Sequence, residues 1–125
     1  MPPSRVAVVT LLSFRILYGL VLLVSPARGT KRWLGEGAAD APPTQVALRG
    51  LGAREVAVHG AAVAAIAAGQ PARPWLAASF VGDLSDVVST TISRKGLPEH
   101  AAPATAAVAG FFAALTVAAA AAVDE

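Results

Sequence analysis

Four apolar stretches, over residues 6–24, 45–68, 75–92 and 103–123, dominate this sequence. Each is about as long as the ~20 residues a helix needs to cross a ~30 Å hydrocarbon core. Segments rich in proline, glycine and charge separate them: Ser25-Pro26 after the first, Gly69-Gln70-Pro71 after the second, and Arg94-Lys95-Gly96 after the third. Pro103 opens the fourth, and proline suits the first turn of a helix. Without water to satisfy backbone N–H and C=O groups, stretches of this kind must be helical. The expectation is an all-α membrane protein, one domain over residues 1–125, with four transmembrane helices in an up-down bundle.

Composition agrees. Of the 125 residues, 55% are hydrophobic and 14% charged, against about 25% charged in soluble domains. A formal charge of +2, dispersed along the chain, gives no basic tract interleaved with aromatics, so nucleic acid is not an expected partner. With no cysteine, disulfides, thiolate metal sites and cysteine nucleophiles are excluded. Ser25-Pro26-Ala27 resembles a signal-peptide cleavage site, but Arg15 interrupts what would be an uncharged h-region, so the first stretch is expected to stay as a helix.

Orientation follows from Lys and Arg beside the helix ends. Arg28, Lys31, Arg32, Arg94 and Lys95 fall in the first and third loops, with Arg49 nearby. Arg5 and Arg73 lie on the other side, with Asp124 and Glu125 at the tail. The expectation is a multi-pass protein of the bacterial inner membrane, its first and third loops cytoplasmic and both termini outside. Residues 28–34 mix positive charge with Trp33: either a segment touching anionic headgroups, or an ordinary positive-inside loop anchored by an aromatic. Gly35-Glu36-Gly37 and Ala41-Pro42-Pro43 read as flexible connection.

Six ionisable residues fall at bilayer depth: Arg15, Arg54, Glu55, His59, Asp83 and Asp86. An Asp or Arg at helix centre costs about 2.5–3.5 kcal/mol on insertion, while each Leu, Val, Ile or Phe returns about 0.3–0.6. Two aspartates in the third helix therefore need partners. Ser79, Asp83, Asp86 and Thr90 follow i, i+4, i+7, i+11 and form one polar stripe. Gly52, Glu55 and His59 share a face of the second helix. A short turn makes these two helices antiparallel neighbours, with Arg54 and Glu55 beside Asp86, and Asp83 nearer His59. The expectation is one buried ionic network, Arg15 and Arg54 against Glu55, Asp83 and Asp86, with His59 adjoining. Gly19, Gly52, Gly60, Gly82 and Gly110 are the expected sites of close helix packing, Gly110 within a small-residue face formed with Ala106 and Ala114 that packs either internally or between protomers.

Three chemistries compete for these residues. A salt-bridge network can serve only to fix helix arrangement, since hydrophobicity does not drive helix association in lipid. Carboxylates and an imidazole at bilayer depth also make proton paths in carriers. Glu55, His59, Asp83 and Asp86 could present metal ligands from two facing helices, but two arginines compete for the same carboxylates, so no metal or other cofactor is expected. Ser79, Ser85 and Ser89 define no Ser-His-acid arrangement by spacing, and Gly50-Leu51-Gly52 lacks the rest of a phosphate-binding loop. No catalytic residue is assigned. The leading expectation is a non-catalytic accessory or assembly subunit; the alternative is a small oligomeric transporter or proton-coupled carrier, and the third a metal-dependent membrane enzyme. The expected partners are the bilayer and either a larger membrane complex or further copies of the chain.

Arg15 with Gly19, Pro26, Trp33-Leu34-Gly35, Arg49, Gly52-Ala53-Arg54-Glu55, Pro74-Trp75-Leu76, Gly82-Asp83 with Asp86, and Gly96-Leu97-Pro98 together resemble a family of small four-helix integral membrane proteins, abundant in actinobacteria and of unknown function. The resemblance spans most of the chain. It implies the four-helix architecture and weight on Arg15, Arg54, Glu55, Asp83 and Asp86, but no activity. His59 departs from the small residue expected near that position.

Overall fold

Proline places the starts of three helices. In the computed structural model, which describes residues 2–123, α1 (Pro3–Val24), α2 (Pro26–Leu34) and α4 (Pro42–Ala67) all begin on one. Proline's fixed φ suits a first turn, where its missing N–H is no loss. The short α3 (Glu36–Asp40) lies between α2 and α4. Beyond α4 come α5 (Arg73–Ile92), a 3₁₀ turn at Arg94–Gly96, and α6 (Ala101–Ala122). No strand occurs among the described residues. Asp124 and Glu125, invoked above for the charge of the tail, lie outside them.

The four long helices coincide with the four apolar stretches but start two or three residues earlier, because the residues just ahead of each stretch, 3–5, 42–44, 73–74 and 101–102, already adopt helical geometry. A larger departure concerns the first loop. Residues 35–37 and 41–43 are not loose connection: Glu36–Asp40 is helical and Pro42 already belongs to α4. Gly35, at φ +91°, makes the turn between α2 and α3. At the far end of α4, Gly69 takes φ +67° and the Gln70 N–H reaches back to the Ala65 carbonyl at 2.8 Å, closing a Schellman-type cap.

Neighbouring long helices run antiparallel. Gly19 and Arg15 of α1 face Gly52 and Glu55 of α4; Arg54 and His59 of α4 face Asp86 and Ser79 of α5; Arg73 of α5 bonds the Ala120 carbonyl of α6. Phe14 of α1 stacks on Phe112 of α6, ring centroids 5.8 Å apart. Toward the chain termini the interior is apolar, built from Val8, Leu12, Ala62, Ile66, Leu76 and Ala119. At the opposite end α2 is tied to α6: Trp33 Nε1 donates to Thr105 Oγ1 at 2.7 Å, and His100 meets the Arg32 carbonyl. The first and third loops, with Arg28, Lys31, Arg32, Arg94 and Lys95, therefore share one end of the molecule.

Beside its apolar interior, the molecule buries several polar and charged side chains and exposes many large apolar ones. Arg15, Glu55, His59, Ser79 and Asp83 are buried, while Phe14, Leu17, Val24, Val81, Ile92 and Phe111 face outward. Among the described residues two helices, α1 and α6, are long and apolar enough to cross a membrane. Only 28% of the apolar window in α1 and 17% of that in α6 is buried within the molecule, so neither has the mostly covered surface of a soluble core helix.

Candidate functional site

Close approach of α1 and α4 sets up the site. A methyl group on Gly19 would lie 2.7 Å from the Gly52 carbonyl oxygen, and one on Gly52 would lie 2.6 Å from the Gly19 carbonyl oxygen. Such separations leave no room for a side chain, so these backbones touch. One turn away from this contact, Arg15 points from α1 toward α4 and α5.

Its guanidinium forks twice. Nε and Nη2 donate to the two Glu55 oxygens at 2.8 and 2.9 Å; Nη1 and Nη2 donate to the two Asp83 oxygens at 3.0 and 2.6 Å. Four of the five guanidinium N–H groups are thereby committed. Bidentate pairing of this kind combines charge with fixed direction. Arg15 is 6% exposed, Glu55 and Asp83 3% each. The Arg15 Cζ also lies 5.1 Å from the centre of the Phe112 ring, so α6 covers the cluster that binds α1, α4 and α5 together.

Arg54 joins the expected network at its partly exposed edge rather than in this buried centre. Its Nη2 donates to Asp86 Oδ2 at 3.2 Å and stands 3.7 Å from Glu55 Oε1, but the Arg54 and Asp86 side chains are 38% and 30% exposed. The reason is register: Arg54 precedes Glu55 by one residue and so leaves the helix about 100° around its axis. Gly82 makes room for it, since a methyl group there would lie 3.2 Å from the Arg54 Cζ.

His59 pairs with Ser79 rather than Asp83. Its Nε2 meets Ser79 Oγ at 2.7 Å, its Nδ1 meets the Glu55 carbonyl at 2.6 Å, and the Glu55 carboxylate is 3.4 Å from Nδ1. In the neutral ring the proton sits on Nδ1 and Ser79 donates to Nε2. Ser79, His59 and Glu55 thus follow in the order of a nucleophile, base and acid, an arrangement spacing alone did not reveal. All three are buried. Ser79 also sits inside α5, where backbone N–H groups are committed to the helix and cannot form an oxyanion hole. The chain of contacts is a tie between α4 and α5. Thr90, at the end of the polar stripe, donates within its own helix to the Asp86 carbonyl at 2.6 Å and has no part in the cluster.

Two packing assignments are corrected. Gly60 and Gly110 have open space where a Cβ would stand, so neither is a close contact between helices of the same chain; packing of the Gly110 face between protomers is untouched by this. The Ala106–Gly110–Ala114 face of α6 does not pack inside the molecule.

Beside the cluster, toward the α2 end, lies a cavity of about 290 Å³. Phe14, Tyr18, Trp33 and Phe112 form its aromatic walls, Val108 and Leu51 add apolar surface, and Arg15, Glu55, Asp83 and Asp86 make its polar side. Phe14 and Val108 are also more than half exposed, so the cavity reaches the apolar exterior between α1 and α6. A second cavity, about 210 Å³, lies near Arg5, Gln70 and Pro71 at the other end.

Among the described residues no three His, Asp or Glu side chains converge as metal donors; Arg15 holds the carboxylate oxygens that would serve. Taken together, the described residues form an all-helical protein with an ion cluster inside and large apolar side chains exposed along its long helices. Comparison with protein-family models, with curated proteins and with solved structures finds no match.

Proposed function

We propose that the chain is a multi-pass integral protein of the bacterial inner membrane in which α1, α4, α5 and α6 all span the bilayer as a four-helix bundle. It acts as a non-catalytic accessory or assembly subunit. The observation that carries this reading is an ion cluster enclosed by four long helices, with many large apolar side chains turned outward. In lipid such a cluster supplies the helix-to-helix attraction that hydrophobicity does not. Arg15 spends its donors on holding three helices together, which supports scaffolding over chemistry.

In this reading the first and third loops face the cytoplasm and both termini face outward, following the excess of basic residues at the α2 end. The amphipathic α2 then lies at the headgroup level, with Arg28, Lys31 and Arg32 exposed and Trp33 turned inward. Membership of the small actinobacterial membrane-protein family that the motifs resemble belongs to the same proposal. The second reading, a small carrier, is favoured by one observation: the cavity beside the carboxylates, which a pure scaffold does not require.

Purification from native membranes in mild detergent, followed by native mass spectrometry, tests the accessory reading. A stoichiometric second protein is the expected result. A clean homo-oligomer or monomer would sink it.

A further inference from the structure

The cluster does not balance its own charge. Three carboxylates, Glu55, Asp83 and Asp86, face two guanidiniums, Arg15 and Arg54. With His59 neutral, one negative charge is left over. The structure also places where that charge is available: Glu55 and Asp83 spend both oxygens on Arg15, whereas Asp86 gives only Oδ2 to Arg54, leaving Oδ1 uncommitted. Asp86 lines the 290 Å³ cavity, and so do the rings of Phe14, Tyr18, Trp33 and Phe112. Aromatic faces attract cations through their quadrupoles, by about 0.5–1 kcal/mol when exposed and about 2 or more when desolvated.

We infer that this cavity binds a small lipophilic organic cation, a hydrophobic amine or quaternary ammonium, its charge beside Asp86 and its apolar part along Phe14 and Val108. An anion would face three carboxylates with Arg15 already engaged. A phospholipid with a choline headgroup would bring its phosphate to the same acidic side, which disfavours it against a simple amine. The inference goes beyond the accessory-subunit reading and needs no partner protein, so either can fail without the other.

The test uses the full chain in dodecyl maltoside and labelled benzyltrimethylammonium, by equilibrium dialysis against matched detergent. Saturable binding of one probe per chain is expected. The neutral isostere neopentylbenzene should compete at least about tenfold more weakly, a margin matching the cation–aromatic and carboxylate contributions, and phenylmethanesulfonate should not compete. Asp86→Asn should weaken binding about tenfold while leaving the far-ultraviolet circular dichroism unchanged. Tyr18→Leu, at a residue that is not itself a partner in the salt bridges, should weaken it severalfold and decides the matter if Asp86→Asn does not fold. Equal competition by neopentylbenzene would overturn the inference, since a proton would then be balancing the odd charge. So would equal displacement by dihexanoylphosphatidylcholine, or probe binding unaltered in both variants.

Discussion

Replacing Arg15 with methionine separates the ion cluster's charge from its volume. Methionine keeps an unbranched stem against Phe112, but it removes all four donated bonds, 2.6 to 3.0 Å long, and leaves the Glu55 and Asp83 carboxylates buried and facing each other. Removing one partner of a buried ion pair costs about 3–5 kcal/mol, chiefly from the uncompensated charge that remains. At 1.4 kcal/mol per factor of ten, the unfolded-to-folded ratio should rise roughly a hundred- to several-thousand-fold.

The triple variant Arg15→Met, Glu55→Gln, Asp83→Asn makes the argument discriminating. It removes the same bonds but leaves no buried charge at these positions, so it should recover most of the loss, because neutral replacements of a buried ion cluster are often near neutral in stability. Unfolding by sodium dodecyl sulfate from dodecyl maltoside micelles, followed by far-ultraviolet circular dichroism, measures both. If Arg15→Met unfolds within about 1 kcal/mol of the native chain, or the triple variant is as unstable as the single, the clamp reasoning is wrong.

Asp83→Ala, which leaves the fork between Arg15 and Glu55 intact, should cost about 1.5–3 kcal/mol, less than Arg15→Met, in the same unfolding assay. Gly52→Ala forces a methyl against the Gly19 carbonyl oxygen and should destabilise by about 1–3 kcal/mol. Gly110→Ala, into open space, should be neutral or stabilising by up to about 1 kcal/mol; thermal unfolding compares the pair, and equal effects would contradict the packing described. Because the chain has no cysteine, Arg94→Cys and Gln70→Cys are unique labels: a membrane-impermeant maleimide should reach position 70 from outside intact cells and position 94 only after lysis. The reverse pattern would invert the proposed orientation.

Much of this arrangement could be read in advance because period and depth carry it. The four apolar stretches became the four long helices, and the spacing of Glu55, His59, Ser79 and Asp83 put their side chains on facing surfaces. Which residue meets which was harder. The register of α4 against α5 depends on the residues connecting them, and a shift of one turn moves His59 from Asp83 to Ser79. Spacing gives the interval between small residues but not the direction their face points, so Gly52 and Gly60 look alike in sequence while only Gly52 touches a neighbour. In sequence Pro26 reads as the end of an apolar run and Pro42 as part of a flexible connection, although proline begins a helix as readily as it ends one. The cavity, a property of what four helices fail to fill, leaves no mark on any single stretch.

Arg15 also imposes an order in time. It is synthesised 40 residues before Glu55 and 68 before Asp83. At about 5–20 residues per second, α1 would wait roughly 2–8 s for the first partner and about 3–14 s for the second. Through that interval the nascent chain carries a cation that lipid does not accommodate cheaply, and α5, when it emerges, carries the acids that answer it. In the membrane arrangement proposed above, neither helix is suited to being released into the bilayer alone. If all four long helices span the bilayer as proposed, the insertion machinery must hold the early helix until the late one arrives, and a ribosome stalled between positions 55 and 83 would leave an intermediate with its clamp half closed.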